Sequence, residues 1–183
     1  MSKPDSGHFR GTIGSKNAMK YLLQKHADSV MIHMVGVDTR PHPTKYKQLN
    51  SKKLKILREK VKTRTITKAE YKHLDWQRRL TIRRNEGIKQ FWINERKLIK
   101  HHLATTRNWS AEQRRSILAG KRPIYKGRPM ISHHMYSVAK YPRLANRREF
   151  IYPVTIYEHL SGWHGGNTRK SLPGIPIKPI KEF

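Results

Sequence analysis

The chain contains no cysteine among its 183 residues. This absence excludes disulfide bonds, thiolate metal sites and thiol nucleophiles, so a metal would have to be held by histidine, carboxylate, asparagine or backbone groups. Long apolar runs are also lacking. No stretch approaches the about 20 residues that span a bilayer, and the N-terminal part lacks the basic-then-apolar order of a signal peptide. We therefore expect no membrane partner and no signal peptide in this chain.

Acidic residues are scarce as well, with 12 Asp and Glu against 40 Lys and Arg and a formal net charge of +28. Repulsion among so many cations costs stability, whereas contacts with phosphates release counterions, so nucleic acid is the partner that best accounts for the charge. The apolar content of 36% is low, but it exceeds what a disordered basic tail would have. We therefore expect a folded protein that binds a polyanion.

Composition and patterning divide the chain into four segments. Residues 1–40 form an N-terminal mixed segment, and residues 41–123 form a basic, mostly helical portion. Residues 124–168 are β-leaning and carry four of the eleven histidines, while residues 169–183 form a proline-spaced tail that favours an extended conformation. This order predicts an α+β fold.

Two capping boxes mark helices in the basic portion. Thr67 and Glu70 form the first and predict a helix that reaches about residue 102, bent or broken near Asn85-Glu86-Gly87. Ser110 and Gln113 form the second. They predict a short helix that directs two apolar residues, Ile117 and Leu118, toward the core.

The pattern then changes to β. A turn at Lys126-Gly127 precedes a predicted strand that contains the adjacent pair His133-His134. A basic loop and the short apolar run "FIYPVT" follow. Thr155 and Glu158 form a third capping box and predict a helix carrying two more histidines, His159 and His164. The predicted order is strand, loop, strand, helix.

Three interpretations of these four histidines are open from spacing alone: a catalytic site, a structural zinc site and unrelated surface residues. Alternate side chains of a strand point to opposite sides, so one member of the pair can face a metal while its neighbour faces substrate. His159 and His164 are five positions apart, which is a rotation of about 500° in an ideal α-helix. Their rings would share a face only if the helix ended or tightened near Gly162.

Strand, basic loop, strand and histidine-bearing helix is the layout of the ββα-metal nucleases, and the C-terminal segment resembles the HNH and endonuclease VII superfamily. Several stretches also resemble the C-terminal nuclease domains of bacterial polymorphic toxins, and together they cover roughly residues 41 to 175. They are "KYKQLNSKKLK", "EYKHLDWQRRL", "TRNWSAEQRRSILAGKRP", "HHMYSVAKYPRLAN" and "IYPVTIYEHLSGWHGGN".

The resemblance implies a role for each histidine. His134 would be the general base, and the ligands of one divalent metal ion would be His133, His159 and His164. The family's middle asparagine usually directly precedes the apolar segment, where this chain has Glu149 and Phe150, so Asn146 is the candidate that orients His134. Imidazole ligands favour zinc, nickel or manganese over magnesium, although availability in the cell can decide otherwise. Four cations near the loop are candidates for binding phosphates: Lys140, Arg143, Arg147 and Arg148.

The sequence and the resemblance together predict an HNH-type endonuclease that cleaves DNA, in which the basic helical portion packs on a ββα-metal motif. The resemblance also implies a toxin module at the end of a larger secreted antibacterial protein, delivered to the cytoplasm of the target cell and held in check by an acidic immunity protein. Met1 is then not expected to be the natural start of the whole protein. Two alternatives stay open: an RNase toxin, and a non-enzymatic nucleic-acid-binding protein of ribosomal or chromatin type with a structural histidine site.

Overall fold

The computed structural model describes residues 37–42 and 44–180. Within this part of the chain, α-helices precede two small antiparallel sheets, which confirms the predicted α+β class. Most of the predicted N-terminal segment 1–40 lies outside the described residues. No helix in the described part is long and apolar enough to cross a membrane.

The first two helices form the basic portion of the fold. Helix α1 spans Ser51–Lys62, and the Asn50 side chain caps it by accepting a bond from the Lys53 backbone N–H. Helix α2 spans Lys68–Lys100 and begins with the predicted capping box, in which the Thr67 and Glu70 side chains each accept from the other's backbone N–H. This reciprocal pair satisfies two backbone donors that a helix start otherwise leaves unpaired.

Helix α2 is not broken at Gly87, so that part of the prediction is wrong. The helix runs through residues 85–87 without interruption, and Gly87 is buried. A Cβ atom at this position would lie 2.6 Å from the carbonyl oxygen of Ala145 and 3.1 Å from the Cα of Asn146. The glycine therefore permits a close approach between α2 and the loop around Ala145, which local sequence cannot reveal.

Helix α3 spans Ala111–Leu118 and begins with the second predicted capping box, formed by Ser110 and Gln113. Ile117 is buried, as expected. Leu118 is 41% exposed, so its predicted place in the core is wrong. Helix α3 is only eight residues long and packs one stripe of its surface on α2, so the residue next to Ile117 faces outward.

Two short sheets follow the helices. Strands β1 (Ile124–Tyr125) and β2 (Arg128–Pro129) form a hairpin around Lys126 and Gly127, both of which have positive φ as a tight hairpin turn requires. Strand β3 (Ile131–His134) contains the histidine pair, as predicted, and pairs antiparallel with β4 (Ile151–Val154).

Short 3₁₀ turns at Pro142–Leu144 and Arg148–Phe150 lie in the loop between β3 and β4. After β4 the chain enters a π-helix, Glu158–Trp163. The third predicted capping box is present, because Thr155 and Glu158 bond each other's backbone N–H through their side chains. The residues that pack together here form one apolar cluster: Met135, Tyr152, Val154, Trp163 and Ile180.

The C-terminal tail lies against the π-helix. Lys178 donates its backbone N–H to the carbonyl of Gly162 at 2.9 Å, and the Ile180 side chain occupies the space beside Gly162. Ile177 lies in the same way against Gly165. The described part of the tail has neither helix nor strand, and its apolar residues cover the turn that carries His159 and His164.

Candidate metal centre

Three histidines from two elements come together at one point. His133 lies on β3, while His159 and His164 lie on and directly after the π-helix. Each histidine offers one ring nitrogen, and these three nitrogens all lie within 4.8 Å of one another. Ring centroids are 5.0 Å apart for His133 and His159, 5.2 Å for His133 and His164, and 4.7 Å for His159 and His164. This convergence of three imidazoles fits a single divalent ion.

The π-helix explains how two residues five positions apart reach the same site. The backbone N–H of His164 donates to the carbonyl of His159 at 3.2 Å, which is the i+5 to i bond that defines this helix type. The sequence suggested that the helix would have to end or tighten near Gly162. The helix does end there, at Trp163, but it widens rather than tightens, so that a five-residue step closes one turn and returns the second ring to the face of the first.

Burial keeps two of the three imidazoles neutral, those of His133 and His159. His133 is 6% exposed and packs against Trp163 with ring centroids 4.5 Å apart. Burial, and then the neighbouring rings of His159 and His164, lower the pKa of His133 to about 2. Burial and His164 likewise lower the pKa of His159. Neutral imidazole is the form that binds a metal ion, so these two rings are in the form that can act as ligands.

One of the three rings is also oriented by a backbone contact. Nδ1 of His164 lies 2.6 Å from the carbonyl oxygen of Lys170. Because a carbonyl can only accept, Nδ1 carries the proton and Nε2 keeps a free lone pair. A bond of this kind fixes the tautomer and the orientation of a metal-binding histidine. Lys170 thus supports the site from the tail.

A buried ion pair supports the start of the π-helix. Arg107, in the loop between α2 and α3, donates two bonds of 2.8 Å to the carboxylate of Glu158 and one of 3.0 Å to the carbonyl of Pro153. The two charged side chains are 2% and 3% exposed. This pair joins the helical portion to both β4 and the π-helix, and it was not predicted. Glu158 carried a capping-box signal, but the sequence contains no sign of its distant partner.

His134 occupies the other side of β3. Its Nε2 lies 3.0 Å from the carbonyl oxygen of Ala145, so Nε2 carries the proton and Nδ1 is left as an acceptor. Burial is the main cause that lowers the pKa of His134 to about 4; the bond to Ala145 opposes the shift and the positive charge of Arg84 adds to it. The ring is therefore neutral, fixed in one tautomer and able to take a proton at Nδ1.

The side chain of Asn146 has a different partner from the one that the sequence suggested. Its Oδ1 accepts a bond of 2.9 Å from Arg83, which also donates to the carbonyl of Arg143 at 2.7 Å. The bond to His134 comes from the backbone of the preceding residue, Ala145. Asn146 thus holds the loop against α2, and the loop backbone orients His134.

The four candidate phosphate-binding cations differ in their partners. Lys140 is exposed. Arg143 forms an ion pair of 2.7 Å with Asp38, whose carboxylate also accepts from Arg40 and contacts His42. Arg147 and Arg148 each approach the carboxylate of Glu149 at 3.5 Å. Arg148 also donates to the side chain of Asn94 at 3.0 Å.

A hydrogen bond from α2 also reaches β3 beside the histidine pair. The indole N–H of Trp92 donates to the hydroxyl of Ser132 at 2.9 Å. Its ring packs against the apolar cluster of Ile99, Trp109, Ile117 and Met130. Its polar edge in fact fixes the strand position directly before His133.

Comparison with known proteins finds a family match that covers part of the chain. A family model described as "GHH signature containing HNH/Endo VII superfamily nuclease toxin" matches residues 74–155. The match includes His133 and His134 and ends before His159 and His164. In this chain the residue that precedes the histidine pair is Ser132. No match was found among curated proteins or among solved structures. The resemblance seen in the sequence is thus confirmed over residues 74–155, which match the model of the GHH-signature nuclease toxins of the HNH/Endo VII superfamily.

Proposed function

We propose that this protein is a metal-dependent endonuclease that hydrolyses phosphodiester bonds of DNA as the toxin module of a secreted antibacterial effector. The observation that carries the proposal is the convergence of three imidazole nitrogens within 4.8 Å on one side of β3, with an oriented, neutral histidine on the other side. The family match and the net charge of +28 support the same proposal.

The β3, β4 and π-helix arrangement is interpreted as the ββα-metal motif of HNH nucleases. In this interpretation, His133, His159 and His164 hold one divalent ion. Such an ion would supply positive charge that polarises the phosphate and stabilises the leaving 3′ oxygen. An all-imidazole ligand set favours zinc, nickel or manganese over magnesium.

His134 acts as the general base in this proposal. Its Nε2 proton is held by the Ala145 carbonyl, so Nδ1 takes a proton from the attacking water. A phosphate anion beside the ring would raise the pKa of His134 from about 4 toward the range in which imidazole is an effective base. The bond to Ala145 also favours the protonated ring that forms after the transfer.

DNA is proposed as the substrate, with RNA as the second candidate, because one metal and one base can serve either polymer. The proposed physiological setting is delivery into the cytoplasm of a target cell, with an acidic immunity protein that covers the basic surface in the producing cell. The non-enzymatic alternative, a basic architectural protein with a structural histidine site, would bind nucleic acid without cutting it.

The test incubates the protein with supercoiled plasmid and with total RNA, each in the presence of magnesium, manganese, zinc or a chelator. His134→Ala is compared with His101→Ala, a matched control from the exposed histidine pair at the end of α2. We expect metal-dependent nicking that His134→Ala removes and His101→Ala retains. Cleavage of RNA alone would change the substrate, and binding without cleavage under every metal would refute the nuclease.

A further inference from the structure

Among the residues that the structure describes, Arg84 differs from the other arginines of its helix in having no side-chain partner. Arg78 and Arg79 form ion pairs with Asp75, and Arg83 bonds the carbonyl of Arg143 and the side chain of Asn146. Nε of Arg84 is buried and has no hydrogen-bond partner in the described part of the chain. No carboxylate within residues 37–42 and 44–180 forms an ion pair with Arg84.

The position of Arg84 on α2 places it beside the loop that orients His134. Leu80, four residues earlier, packs with Val138 and Ala145. Gly87, three residues later, lies against the carbonyl oxygen of Ala145. Residues spaced by three and four share one face of a helix, so Arg84 leaves α2 between these two contacts, on the face that meets Ala145.

The positive charge of Arg84 affects the pKa of the proposed base, His134. It contributes to the lowered pKa of His134, while burial lowers the pKa of Arg84 itself. A half-buried guanidinium without an anionic neighbour is unfavourable for folding, because its lost hydration is not replaced by a paired charge. A water molecule could accept from Nε but could not compensate the charge. Groups of this kind are typical of sites that bind a charged ligand.

We propose that Arg84 binds a non-bridging oxygen of the phosphate on which His134 acts. This inference rests on the proposed nuclease function and adds a phosphate-binding residue outside the histidine cluster. A planar guanidinium suits two phosphate oxygens at once, and a phosphate at this point would supply the missing anion. Arg83, the adjacent arginine, holds the loop and leaves Arg84 to contact substrate.

The test compares Arg84→Met, which keeps much of the volume without the charge, with Arg84→Lys and with Lys89→Met. Lys89 is an exposed cation on the same helix and serves as the matched control. We expect Arg84→Met to lower the single-turnover cleavage rate at saturating DNA on the order of 10²-fold. Arg84→Lys should lose less, and Lys89→Met should retain the wild-type rate.

Thermal unfolding separates a substrate contact from a structural role. Because the unpaired cation opposes folding, Arg84→Met should have a Tm equal to or above that of the wild type while it loses activity. A large fall in Tm that accompanies the loss of cleavage would mean that Arg84 supports the fold instead. An Arg84→Met variant that cuts at the wild-type rate would also overturn the inference.

DNA binding in the presence of a chelator tests the contact without cleavage. The slope of log affinity against log salt should fall by about one for Arg84→Met, as expected for the loss of one phosphate contact. A wild-type protein that cuts nothing would refute the proposed nuclease. The change in salt slope alone would then show whether Arg84 contacts a phosphate. An unchanged slope would refute the phosphate contact.

Discussion

Replacing Gly87 with alanine is expected to destabilise the domain, although the same change usually stabilises a helix. In an open helix position, alanine is favoured over glycine by about 1 kcal/mol. At Gly87 the new methyl group would lie 2.6 Å from the Ala145 carbonyl oxygen and 3.1 Å from the Cα of Asn146. Both neighbours are backbone atoms, so no side chain can rotate away to make room.

The size of the effect follows from these two opposing contributions. Inserting a methylene-sized group into a well-packed interior costs about 1–3 kcal/mol, and rigid backbone neighbours favour the upper end of that range. After the propensity gain, Gly87→Ala should lower the free energy of unfolding by about 2 kcal/mol. For a chain of this length, that corresponds to a Tm lower by roughly 4–8 °C.

The displaced atom is also the acceptor that orients His134. The proposed cleavage activity should therefore fall at temperatures where Gly87→Ala is still folded. Urea and thermal unfolding, with cleavage measured at low temperature, provide the assay, and Asn85→Ala, at an exposed position on the same helix, is the control expected to be neutral or slightly stabilising. A Gly87→Ala variant that is about 1 kcal/mol more stable than the wild type would refute the reasoning.

Three further predictions test other parts of the site. Glu158→Leu leaves Arg107 buried without its counterion and should lower the free energy of unfolding in urea by about 3–5 kcal/mol, whereas adding Arg107→Met should recover part of that loss. A double variant whose destabilisation equals the sum for the two single variants would contradict this. Trp92→Phe and Ser132→Ala each remove the same hydrogen bond, so each should cost about 1 kcal/mol and the pair less than their sum, measured as a double-mutant cycle. A binding metal at 100 times its Kd should stabilise the wild type by about 2.7 kcal/mol, and His159→Ala should abolish most of this gain in thermal unfolding; an equal gain in the variant would exclude His159 as a ligand.

Elements with local signals could be predicted from the sequence. The capping boxes at Thr67 and Ser110 use side chains within three residues of the helix start, so the sequence carries the whole interaction. The strand with the histidine pair was predicted in the same way, from an apolar run after a turn at Lys126-Gly127. The candidate ligands were found because their residue types and their order along the chain are themselves the signal.

Features that depend on distant neighbours could not be predicted. The role of Gly87 is set by a loop almost sixty residues later, and the same glycine in isolation suggests only a helix break. The π-helix packs against the tail at Gly162, whereas an α-helical rotation wrongly suggests that His159 and His164 face different directions. The buried pair of Arg107 and Glu158 joins residues 51 positions apart, and neither residue type is expected in a core.

The tail that packs on the π-helix is the last described part of the site to be synthesised. His133, His159 and His164 have all been translated before Lys170, Ile177 and Ile180 emerge, yet these later residues orient one ring and cover the turn that holds two of them. A ribosome-bound or truncated chain that ends soon after His164 therefore contains every proposed ligand without the support that aligns them. Under the proposed function, this order would delay assembly of the metal site until residue 180 is available.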